Sequence, residues 1–161
     1  MSRIACFLAA GLLLCTVAAS YLVLRPASDE QRPMVTALTE IRPENPLHGV
    51  LESTASAQLV KIPGEGAAVR AVLTFQAKDG RYCREFEILA DSGSSTGIAC
   101  REQGHWRTEV LASGVAVPAD GNFYTPAGGS DEAAVAEVFE GLVQGEPLGI
   151  EEETRLLGAG W

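Results

Sequence analysis

Apolar and polar residues alternate from Val69 to Leu111, and three turn signals cut the run into four segments. Alternate side chains of a strand point to opposite faces, so this period of two constrains the fold more than any other feature. The segments are Arg70–Ala77, Arg81–Leu89, Thr96–Arg101 and His105–Leu111. Asp79-Gly80 and Gln103-Gly104 suit two-residue hairpin turns, and Asp91-Ser92-Gly93-Ser94 marks a further turn. The predicted unit is a four-stranded antiparallel meander. A two-residue turn at Asp79-Gly80 would pair Leu73 with Phe86 and Phe75 with Arg84. A four-residue turn at 90–93 would set Cys83 opposite Cys100. The last turn would pair Gly97 with Val110 and Arg101 with Trp106.

The pairing sorts side chains by face. Ala71, Leu73, Phe75, Phe86, Ile88, Ala99, Trp106 and Val110 gather on one side. Thr74, Gln76, Cys83, Glu85, Glu87, Cys100, Arg107 and Glu109 gather on the other. One apolar face calls for a cover on one side only. Residues 131–143 supply an amphipathic helix with Val135, Val138, Phe139, Leu142 and Val143 on one stripe. Asn45-Pro46 offers a cap and first residue for another helix over 46–57, and 150–157 reads as a third. Pro63-Gly64-Glu65-Gly66 reads as a turn. The expected class is α+β, a meander with helices packed on one face.

Ahead of this unit, Ile4–Leu24 is a run of 21 uncharged, mostly apolar residues. As a helix it would be roughly 30 Å long, the thickness of a bilayer's hydrocarbon core. A cleaved signal peptide is the competing reading, with Ala18-Ala19-Ser20 as its cleavage site. The apolar run continues through Tyr21–Leu24, however, which favours an uncleaved single-pass anchor. A lipid-attachment site at Cys15 fits less well, because Leu14 stands where a small residue is wanted. Residues 25–46 hold four of the eight prolines and read as an extended tether, with a short helix at Met34–Ile41. The expected division is a stub at 1–3, the anchor at 4–24, the tether at 25–45 and a folded domain at 46–161. Residues 26–161 carry 10 basic and 21 acidic residues, a net of −11, which speaks against a nucleic-acid partner.

Cys6 and Cys15 lie inside the apolar run, where a thiol behaves as a small hydrophobe. Cys83 and Cys100 enclose 16 residues, and their predicted opposition suits a disulfide. Two buried thiols or a metal site are the other readings. The metal reading lacks ligands, since there is no CxxC and His105 is the one histidine nearby. A stable disulfide implies an oxidising compartment. The expected placement is therefore single-pass, with the amino terminus in the cytoplasm and residues 26–161 outside it, in a compartment such as the periplasm.

A longer pattern runs through Phe75-Gln76-Ala77-Lys78-Asp79-Gly80-Arg81-Tyr82-Cys83-Arg84-Glu85-Phe86, then Gly97-Ile98-Ala99-Cys100-Arg101 and Gly104-His105-Trp106. It resembles the extracytoplasmic domain at the carboxy end of certain bacterial transmembrane anti-sigma factors. It is also similar to small bacterial surface-antigen lipoproteins. The closing Gly145-Glu146-Pro147-Leu148, Glu151-Glu152-Glu153 and Gly160-Trp161 look like the anti-sigma version. The resemblance covers about residues 46–161. Anti-sigma factors hold their sigma factor through a cytoplasmic part, and only Met1-Ser2-Arg3 stand before the anchor here. The resemblance therefore implies a periplasmic, envelope-side domain on a single anchor in the bacterial inner membrane, without the sigma-binding part.

Chemistry-bearing motifs are sparse. The sequence shows no Gly-rich phosphate loop, nucleophile elbow or metal-ligand cluster, and no catalytic residue, cofactor or metal is assigned. His48 and His105 are single and read as surface or packing residues. Arg84, Arg101 and Trp106 admit two readings, a partner-binding or anion site and a structural set of charge pairs with a cation–π contact. Glu85 and Glu109 on the polar face would be exposed, with no burial to raise either pKa for acid catalysis. The carboxy end holds eight carboxylates and one Arg in residues 131–161 and reads as a solvated face. The expected function is a membrane-anchored binding, regulatory or accessory domain, with the bilayer and a membrane or periplasmic protein as partners. The alternative is a structural, surface-antigen-like envelope protein with no signalling role.

Overall fold

The computed structural model describes residues 34–91, 93–114 and 130–161. The stub, the apolar run at 4–24 and the tether up to residue 33 lie outside the described residues. Among the described residues, no helix is long and apolar enough to cross a membrane.

In chain order the elements are β1 (Glu40–Ile41), α1 (Pro46–Ser53), β2 (Leu59–Ile62), β3 (Ala67–Gln76), β4 (Tyr82–Ala90), β5 (Gly93–Glu102), β6 (His105–Ser113), α2 (Ser130–Leu142) and α3 (Ile150–Ala159). The strands form one antiparallel sheet in the order β1-β6-β5-β4-β3-β2, curled into a half-barrel. The expected four-stranded meander is thus corrected to six strands. The four long strands stand where the alternation places them, and two short ones extend the sheet at its edges. β1 and β2 have two and four residues, too few for a period to show. β1 also replaces the short helix read at Met34–Ile41. Val35 and Ile41 are buried in the core, so residues 34–45 belong to the compact unit Met34–Trp161.

The faces of the sheet also differ from the expected ones. Ala77 N–H bonds to the Arg81 carbonyl at 2.8 Å, so Lys78, Asp79 and Gly80 make a three-residue turn instead of the expected two. Gly80 takes the positive φ of 88° that such a loop needs. One extra residue shifts the register, so Phe75 faces Cys83, not Arg84. A bulge between Ala71 and Leu73 then turns the upper and lower halves of β3 to opposite sides. A second irregularity beside Ile98 and Ala99 does the same to β6, so Gly97 pairs with Leu111 and Ile98 with Val110. The pairs Cys83–Cys100 and Arg101–Trp106 fall where predicted.

Apolar residues consequently line both faces. Val69, Phe86, Ile88, Ala99 and Trp106 pack under Leu47, Val50 and Leu51 of α1. Phe75, Cys83, Ile98, Cys100 and Ala112 pack under Val135, Val138, Phe139 and Leu142 of α2. The helices therefore lie on both sides of the sheet, and the expectation of helices on one face is overturned. α1 starts at Asn45, whose side chain accepts from Leu47 N–H at 2.9 Å and donates to the Met34 carbonyl at 2.5 Å. This cap ties the first described residue to the helix.

Candidate functional site

Two constructions meet on the α1 side of the sheet, and both are built from charged groups. Arg84 is fully buried, at 0% exposure. It points from β4 to the carboxy end of α1, where the last carbonyl groups of a helix lack partners, although that of Val50 also accepts the Thr54 N–H at 3.1 Å. Its guanidinium donates to the carbonyls of Leu51 (2.8 Å), Val50 (3.3 Å) and Thr54 (2.7 Å). The same group pairs with Glu153 of α3 at 2.9 Å. A positive charge at a helix carboxy terminus also suits the helix dipole.

Glu153 is saturated from several sides. Its Oε1 accepts from Ser56 Oγ and Thr74 Oγ1, both at 2.5 Å, and its Oε2 accepts from Ser56 N–H at 3.1 Å. Burial alone would push this carboxyl up. The hydrogen bonds from Ser56 and Thr74, with the Arg84 charge, outweigh burial and hold it below the usual carboxylate range. Burial likewise lowers Arg84, against the opposing pull of Glu153.

The neighbouring construction centres on Glu52, near the end of α1. Its carboxylate accepts from Trp106 Nε1 at 2.8 Å and from Arg101 Nη2 at 3.0 Å. Its backbone carbonyl accepts from Trp161 Nε1 at 2.8 Å. The Trp161 ring meets Trp106 edge-on at 4.9 Å, and Arg84 lies 5.6 Å from its centre. The expected cation–π pair of Arg101 with Trp106 is thus replaced by a shared carboxylate, while Arg84 takes the aromatic partner.

The disulfide lies on the opposite face. Cys83 and Cys100 are bonded across adjacent strands, with Cα atoms 3.9 Å apart. Both are fully buried, in the cluster covered by α2. The thiol and metal readings of this pair give way to the bond.

Five residues singled out from sequence are therefore divided between two faces, with Arg84, Arg101 and Trp106 together and the cysteines apart. Burial leaves Arg84 and Trp106 no surface to offer a partner in this state; their polar groups bind within the fold. Sequence reasoning passed over Glu52, Ser56, Thr74, Glu153 and Trp161 as members of this set. Glu153 had one signal: Leu156 and Leu157 follow at i+3 and i+4, which marks it as facing inward.

Two carboxylates behave differently from expectation. Glu85 is half-buried, and burial together with the Glu87 charge raises its pKa. It lines a groove with Arg70, Val72, Glu87, Val135 and Phe139. Glu109 accepts from Arg81 at 2.6 Å. His48 is half-buried on α1, and His105 is exposed 3.8 Å from Glu40.

The chain matches a family described as 17 kDa outer membrane surface antigen over residues 51–107. No curated protein and no solved structure matches it. The matched span runs from the end of α1 into β6 and contains Glu52, Arg84, Arg101, Trp106 and both bonded cysteines. It supports the surface-antigen half of the resemblance and gives the anti-sigma half no support.

Proposed function

We propose that the chain is a structural, surface-antigen-like protein of the bacterial envelope, with no signalling role and no catalytic activity. The match over residues 51–107 carries this reading, because it spans the disulfide and the buried arginine that organise the sheet. A cross-strand disulfide favours an oxidising compartment outside the cytoplasm. The uncharged, mostly apolar run at 4–24 would hold the domain at a membrane through lipid contact. The charged side chains of the site are engaged with one another, which suits a scaffold better than a binding face.

Fractionation with a thiol-labelling readout tests the placement. The full chain should sediment with envelope membranes and resist labelling at Cys83 and Cys100 until reduced after denaturation. Recovery in the soluble cytoplasmic fraction with both thiols labelled would refute it. A pull-down from detergent extract tests the role. A stoichiometric protein partner would move the reading from scaffold to accessory or regulatory subunit.

A further inference from the structure

We infer that α3 and Trp161 form an acid-released latch on the α1 face, held closed by the Glu153 carboxylate. A charge, more than an apolar face, attaches this helix. Glu153 is the one buried residue of α3, while Leu156, Leu157 and Trp161 are only half-buried. Apolar burial normally anchors a surface helix. Here the innermost contact is a charge, bound by Arg84 of β4, Thr74 of β3 and Ser56 of the loop after α1.

The segment before α3 is fastened separately. Gln144 N–H bonds to the Gln76 carbonyl and Leu148 N–H to the Thr74 carbonyl, each at 2.8 Å. Gly149 follows as the helix cap, with extended backbone and no side-chain cap bond. A Cβ there would meet nothing within 4 Å, so no neighbouring side chain packs on this junction. Release of α3 therefore needs no break in the sheet, and the disulfide holds β4 to β5 throughout.

The titratable groups around the latch are few. Arg84 keeps its charge across the accessible range. Thr74 and Ser56 are neutral donors. Tyr82 of β4 contacts the Trp161 ring, and the Glu52 carboxylate nearby is bound by Arg101 and Trp106. On α3 itself, Glu151, Glu152 and Arg155 are exposed. Glu153 is held below the usual carboxylate range, so its stabilisation is full above the unfolded-state pKa. It is lost as pH falls through the folded value. Opening would uncover Arg84, Ser56, Thr74 and the ring of Trp106.

Hydrogen exchange on the full, oxidised chain tests this, read as protection factors for the amides of Glu153–Gly160 and for those of β4 and β5. On acidification below the ordinary glutamate range, α3 protection should fall by about tenfold or more while the sheet keeps its own. Glu153→Gln should show that loss already at neutral pH, and Glu152→Gln should not. Three results would overturn the latch: sheet and helix losing protection together, Glu153→Gln retaining a protected α3, or Glu153→Gln exposing the sheet as well.

Discussion

Arg84 shows how much one side chain organises here. It donates to the carbonyls of Leu51 and Thr54 at the end of α1, reaches that of Val50, and neutralises Glu153, with both charges removed from water. Truncating one member of a buried pair strands the other, which typically costs about 3–5 kcal/mol. Arg84→Ala should therefore lower the urea midpoint by a corresponding amount. Arg84→Lys should recover little, because an ammonium donates from one point and cannot span Leu51, Thr54 and Glu153 together. Full recovery by lysine would mean that charge alone, not the forked geometry, matters. Glu85 predicts the opposite pH behaviour from Glu153. Its pKa is raised by burial and by Glu87, so ionising it costs stability. Glu85→Gln should stabilise the fold near neutrality, with the gain vanishing as pH falls below the ordinary glutamate value. A gain that persists in acid would assign the effect to packing.

Elements were legible where their signals are local. Gln103-Gly104 forms the expected turn with φ values of 50° and 87°, and Asn45-Pro46 starts α1 as its residue types require. The register of β3 on β4 was not legible, because Asp79-Gly80 serves a two- or three-residue turn and the difference is one residue. Bulges are equally silent in sequence: Val72 and its neighbours read as unbroken alternation. The consequence is large, since a single inserted residue sends Leu73 and Phe75 to α2 and leaves Thr74 for Glu153. Gly97 is a position at which β4 and β6 both press close on β5. A Cβ there would lie 2.7 Å from both the Phe86 ring and the Val110 carbonyl. Gly97→Ala should cost about 1–3 kcal/mol, as overpacking does, and thermal unfolding would measure it. Pairing that change with Phe86→Leu should recover part of the loss, and no recovery would place the strain on the backbone contact.

At the scale of the molecule, stability rests on a modest core divided between two faces, which increases the weight of the cross-link between β4 and β5. Cys83 and Cys100 close a 16-residue loop in the middle of the sheet. Restricting the unfolded chain in that way is worth about 3 kcal/mol by the loop-entropy relation. The bond is also sealed: both sulfurs lie under α2, in one cluster with Phe75, Val135 and Phe139. A thiol reductant must therefore wait for α2 to lift or for the sheet to open. Two openings are thus distinguishable by rate. Reduction through global unfolding should match the exchange of β4 and β5 amides, and Phe139→Ala should accelerate both together. Reduction through α2 alone should run ahead of sheet exchange, and Phe139→Ala should then accelerate reduction more than exchange. The ring of Phe139 meets Phe75 at 4.9 Å, and Gln144 and Lys78 fasten the far end of the helix to β3. With the cover fixed at both contacts, the global route is the expected one. Rapid reduction of the native protein, with β4 and β5 still protected, would show that α2 lifts on its own.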